Sequence, residues 1–170
     1  MNVHNTEGQE GQPHDEVVHV EVEVEDRVEL LVVPITEGMV LVEVIRTRLE
    51  VAGDVHFFER DRDEQLHHHP YGRKHVRVVG HRCDQVKLEV RYEHDTKHHH
   101  FPPSATVFRA LQWAVSKHGF NLDPMAAAKA NLILPRADQP LPREDVLGKH
   151  VKGDHCTLVV DLTLKDFTNG

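Results

Sequence analysis

Cysteine is almost missing from this sequence: 170 residues include two, Cys83 and Cys156. They lie far apart and outside any Cys-x-x-Cys spacing. They suggest neither a zinc cluster nor a disulfide framework, and so favour a reducing cytoplasm. Long apolar runs are missing too; none approaches the ~18 residues that a membrane span needs. The opening MNVHNTEGQEGQPHDE has no basic region followed by an apolar one, so it does not read as a signal peptide. Residues 1–15 are expected to be a disordered, solvated arm. Basic excess is the third absence. Lys plus Arg number 20 against 28 Asp plus Glu, a net charge of −8, which disfavours nucleic acid as a partner.

What remains is ordinary for a globular protein, with 39% hydrophobic and 28% charged residues. The length suits one medium domain or two small ones. The acid is unevenly spread. Residues 16–80 hold fourteen acids and eight bases, whereas residues 86–170 hold ten acids and eleven bases. Two units with different surfaces are the simplest explanation.

The pattern of apolar residues gives both units the same order of elements. Val18, Val20, Val22 and Val24 alternate with His19, Glu21, Glu23 and Glu25, which is a strand with one buried face. Asp26-Arg27 breaks it, and Val28–Val33 forms the second arm of a hairpin. Thr36 is expected to open a helix with Leu41, Val44, Ile45 and Leu49 on its apolar stripe, stopped by Gly53. Short strands at Val55–Phe58 and His75–Val79 complete the unit. The second half starts again with Val86, Leu88, Val90 and Tyr92, a polar turn, and His98–Phe101. Ser104 or Thr106 is placed to cap a helix with the stripe Val107, Ala110, Leu111, Ala114 and Val115, ended by Gly119. Asp123-Pro124 starts one more helical turn. Strands at Ala130–Leu134 and Thr157–Leu164 follow, separated by a long loop with buried anchors. A hairpin, one amphipathic helix and later strands burying that helix on one sheet face is the β-grasp architecture. The expected class is therefore α+β: residues 16–80 as domain 1, 81–85 as linker, 86–164 as domain 2 and 165–170 as a C-terminal tail.

The second half resembles ubiquitin in Leu132, Ile133, Leu134, Leu141, Leu147, Val151, Thr157 and Leu158. The first half is a looser match through VHFFERDRDEQL and HVRVV. Two such domains with a tail on the second resemble the tandem ubiquitin-like modifiers: the interferon-induced vertebrate protein and, more closely, those of bacterial antiphage operons. The resemblance implies a protein that is no enzyme, has no catalytic residues of its own and needs no cofactor. Its reactive group would be the carboxylate of Gly170. An E1-like activating enzyme would adenylate it with ATP and pass it to an E2-like conjugating enzyme as a thioester. Target proteins, among them phage structural proteins, would receive it, and a deconjugating metallopeptidase would remove it. Glycine suits that position because a residue without Cβ fits a narrow channel. Leu162, Leu164, Lys165, Phe167, Thr168 and Asn169 are the expected enzyme-contacting tail. Leu132, Ile133 and Leu134 are a candidate protein-binding surface, with Asp161 standing where an apolar contributor would be. No membrane partner is implied, and the setting is the cytoplasm.

Other residues invite chemistry of their own. His67-His68-His69 and His98-His99-His100 invite a metal reading among the 16 histidines. Consecutive strand residues point to alternate faces, so three in a row do not chelate one ion, and no metal site is expected. His155 beside Cys156 suggests a nucleophilic pair, but neighbours on a strand diverge; Cys156 reads as a small buried hydrophobe. ERDRDE reads as a solvated turn rather than an acidic docking site, and Trp113 as a flank of the core or a partial contact surface. The competing functional readings are a tandem β-grasp adaptor that binds without conjugation and a histidine-rich metal-binding protein.

Overall fold

The computed structural model describes residues 16–25, 27–68, 73–152 and 155–167; the expected N-terminal arm, His69 and Thr168, Asn169 and Gly170 lie outside them. The valine alternation forms β1 (Val17–Val24), paired antiparallel with β2 (Arg27–Pro34). Helix α1 (Leu41–Leu49), β3 (His56–Glu59) and β4 (His75–His81) follow. The sheet order is β2-β1-β4-β3, with β1 and β4 parallel at its centre. Val18, Val20 and Val22 point inward against Leu41, Val42, Ile45, Phe57, Val76 and Val78, all buried. Each such side chain contributes on the order of 1.5–3 kcal/mol by leaving water.

Helix α1 is shorter than its pattern suggested. Thr36 accepts the Met39 N–H at 3.2 Å in a tight turn, with Gly38 at a φ of 74° that glycine takes without strain. The helix begins after Val40, which offers no side-chain cap, and ends at Glu50, itself left-handed, whose N–H reaches Arg46 O. Gly53 is not its stop.

The second unit repeats this topology. β5 (Val86–Tyr92), β6 (Asp95–Phe101), α2 (Val107–Val115), α3 (Pro124–Lys129), β7 (Asn131–Ile133) and β8 (Thr157–Thr163) give the sheet β6-β5-β8-β7. Thr106 caps α2 by accepting the Arg109 N–H at 3.2 Å, and Asp123 caps α3 by accepting that of Ala126 at 3.0 Å. Helix α2 stops at Val115, before Gly119. That glycine lies in the next turn, where a Cβ would come within 2.4 Å of Ala114 O. Leu141, Val146, Leu147 and Val151 are the buried anchors of the long loop. Trp113 is half-buried beside the core, as a flank.

Cys83 and Cys156 form a disulfide, which corrects the reading of two free thiols and of Cys156 as an unreacted hydrophobe. The parallel β5–β8 ladder explains it. Lys87 pairs with Thr157 and donates its N–H to Cys156 O at 2.8 Å, so the residues just before each strand are neighbours. The cysteine-based case for a reducing compartment lapses with this bond. Among the described residues, no helix is long and apolar enough to cross a membrane.

The stretch expected as a linker is held at His81 and Cys83. His81 is the last residue of β4 and 5% exposed. Its Nδ1 accepts the Cys83 N–H at 2.9 Å, so Nε2 carries the proton and donates to Gly148 O at 3.0 Å in the second unit. A Cβ on Gly148 would lie 2.8 Å from the His81 ring, so the ring packs against the Gly148 backbone as closely as glycine allows. The acidic ERDRDE run is not simply solvated. Asp61 donates its N–H to Ser104 O at 2.9 Å and Ser104 Oγ donates to Arg62 O at 3.0 Å. Arg109, just inside α2, forms ion pairs with Asp61 and Asp63.

Two outcomes follow for stability. The disulfide closes a separation of 73 residues. Replacing both cysteines by serine should lower unfolding free energy by roughly 2–5 kcal/mol, read from urea midpoints. His81 has its pKa lowered, chiefly by burial and further by Arg82, while the Gly148 carbonyl opposes this. The unfolded chain therefore binds the proton more readily. Stability is full above the ordinary histidine range near 6.5 and falls as acidification runs down through the lowered folded value. Wild type should lose more stability than His81→Gln between pH 7.5 and 5.

Candidate functional site

The candidate site is the root of the C-terminal tail, set by β8. Alternation along β8 sends Leu158, Val160 and Leu162 into the core, and Leu162 is 5% exposed. Leu162 is thus a core residue, which corrects its place among the enzyme-contacting tail. Leu164 is half-buried against the same core, and the chain leaves the sheet there. Lys165 donates its backbone N–H to Thr163 Oγ1 at 3.1 Å. Its ammonium sits 5.4 Å from the Phe167 ring centroid. Phe167 is half-buried and lines one groove together with Ala128, Asn131, Pro140, Arg143 and Leu164. Arg143 is fixed there by Ala130 O at 3.0 Å and Asn131 Oδ1 at 3.2 Å. The described tail therefore starts as an anchored segment. Thr168, Asn169 and Gly170 lie outside the described residues.

The candidate docking surface on β7 divides by face. Leu132 is 1% exposed and packs in the core, so it is no part of a surface. Ile133 faces the other way, paired with Asp161 of β8, and Leu134 is half-buried. Around Ile133 the outer face is polar. Asp161 accepts from Arg91 at 2.7 and 3.1 Å, which holds that guanidinium more firmly protonated. Lys87 pairs with Glu89 on the same face.

The remaining candidates carry no chemistry in this geometry. The Cys156 sulfur is bonded to Cys83, so it has no thiolate to offer beside His155. On β6, His98 and His100 face outward with Glu89 and Lys87 as cross-strand partners. His99 turns to the helix side and stacks on Trp113, ring centroids 5.2 Å apart. Among the described residues, no three His, Cys, Asp or Glu side chains are grouped to hold a metal ion. The role of Asp61, Asp63 and Arg109 in joining the units escaped the sequence reading; their opposite charges, 46 and 48 residues apart, were the available signal.

Residues 87–165 match the family model described as BilA ubiquitin-like domain 2. The mixed α+β arrangement of this segment, with its four-stranded sheet, fits a ubiquitin-like domain, and the match ends at the root of the tail. No curated protein matches the chain.

The two faces of β7 make a direct comparison. Leu132→Ala should cost about 2–5 kcal/mol by leaving a cavity. Ile133→Ala should cost well under half as much, both read from urea unfolding.

Proposed function

We propose that the chain is a tandem ubiquitin-like modifier, conjugated to other proteins through Gly170 in a bacterial antiphage system. The observation that carries this reading is the family match over residues 87–165, which stops where the polypeptide leaves the sheet. The shared strand order of the two sheets supports the first unit as a second ubiquitin-like domain, with 16–80 and 86–164 as the domain limits and 165–170 as the tail. The protein supplies no active site and no cofactor. An E1-like enzyme spends ATP to adenylate the Gly170 carboxylate, a thiol displaces AMP to form a thioester, and an E2-like enzyme carries the acyl group to an amine on the target. A metallopeptidase reverses the bond.

Within this reading the chain's own residues position the acyl group. Leu164 and Phe167 anchor the arm at its root, and Lys165 offers a cation near it to an acidic enzyme surface. Thr168 and Asn169 are small enough to extend into a narrow channel, and Gly170 leaves the carbonyl open to a thiolate. A cytoplasmic setting follows from the need for ATP rather than from the cysteines.

The test is a charging assay with an E1-like activating enzyme of a bacterial antiphage system, ATP and the chain ending at Gly170. An ATP-dependent adduct that thiol reductant releases should form with wild type and not with a Gly170 deletion. Failure of wild type with an enzyme shown to be competent, or equal charging of the deletion, overturns the reading.

A further inference from the structure

Strand β2 lies at the edge of the first sheet and leaves Val28, Leu30 and Val32 exposed at 56%, 78% and 52%. The backbone of the same three residues is turned outward. Ile35 donates to Glu16 O at 3.0 Å, and the β1–β2 register is unbroken from Val17–Pro34 to Val24–Arg27. Residues 29, 31 and 33 therefore direct their N–H and C=O to β1. Those of Val28, Leu30 and Val32 point away from the sheet. Edge strands of monomeric proteins are usually protected by charge, proline or bulges. Between Arg27 and Pro34, β2 has one charged residue, Glu29. The equivalent edge β6 is protected, with Asp95, Thr96, Lys97 and three histidines.

We propose that β2 is a docking edge for an extended, basic segment of another protein, which adds as a fifth strand. Charge selects this occupant. On the outer face, the register sets Leu30 opposite Glu21 and Val28 opposite Glu23. Arg77 already pairs with Glu21 at 2.8 Å, leaving Glu23 as the stronger attraction. Lys or Arg at alternate positions of the incoming strand lays its aliphatic stem over Val28, Leu30 and Val32 and carries its charge to these glutamates. The intervening positions, on the helix side, lie beside half-buried Leu31 and suit valine or isoleucine. A second copy of this chain is the poorer occupant. Its own β2 has no base between Arg27 and Pro34, and it brings a net charge of −8 to a protein of the same charge. Main-chain bonds give such an edge its affinity, and the alternate side chains give it selectivity.

The experiment titrates the ¹⁵N-labelled full chain with a nine-residue peptide of alternating lysine and valine. The same composition in block order and an alternating glutamate–valine peptide serve as controls. The alternating basic peptide should shift the amides of Val28, Leu30 and Val32 and protect them from exchange, with both controls inert. The double variant Glu21→Gln, Glu23→Gln should bind roughly tenfold more weakly, as expected for two exposed ion pairs. Its unchanged spectrum elsewhere reports an intact fold. The proposal is overturned if those amides stay unprotected, if the controls bind equally, or if the double variant binds as wild type does. It is also overturned if the three amides are protected without peptide and lose protection on dilution, because a second copy then covers the edge. None of these readouts depends on Gly170.

Discussion

The parallel pairing of first and last strands governs this molecule. In each unit a β-hairpin begins the chain and the final strand returns beside its first arm, so β1 pairs with β4 and β5 with β8. A parallel pair requires a long crossover, and here that crossover brings the helix that covers the sheet. The same constraint separates two ends with different duties. Where β5 and β8 start, Cys83 and Cys156 meet and the first unit is attached. Where they finish, the chain runs off the sheet at Leu164. The disulfide and the tail therefore sit at opposite ends of one ladder, and the tail emerges on the side away from the joint.

Much of this was legible in the sequence because period-2 alternation is a local property. Val18, Val20 and Val22 announce a half-buried strand without knowing its neighbours, and Thr106 and Asp123 announce their helix starts through their own side chains. The disulfide was not legible, since it depends on the register between strands 73 residues apart. Near β7 the difficulty was different. In Leu132-Ile133-Leu134 every residue is apolar, so the sequence carries no phase, and only the pairing of Leu132 with Leu162 decides which side is the core. Leu162 departs from expectation for the complementary reason: it lies next to the C-terminal tail, yet its side chain belongs to the layer beneath.

The charge asymmetry of the two halves also acquires a physical role. Asp61 and Asp63 of the acidic unit reach Arg109 of the near-neutral one, and Ser104 and Arg62 exchange contact beside them. Exposed ion pairs alone hold little free energy. The seam is firmer where charge is absent, at His81, whose neutral ring bridges the Cys83 amide and the Gly148 carbonyl. Both ring nitrogens are occupied by partners of fixed sense, so protonation would set an N–H against the Cys83 N–H. The joint thus depends on a neutral histidine in a site too close-packed for any residue but glycine opposite it.

The two sheets share one topology and differ most at their equivalent edges. β6 carries charge and histidine along its length, with His99 folded back on Trp113, and offers an incoming strand little apolar surface. β2 offers three exposed aliphatic side chains on residues whose backbone groups are unpaired by β1. Repetition of the topology gives two copies of this hairpin edge, and protecting both would be the simplest way to keep the chain monomeric. Protection of one alone points to a division of labour. In the second unit the β6 edge resists augmentation by its charge, whereas in the first the β2 edge leaves aliphatic side chains and outward backbone groups together.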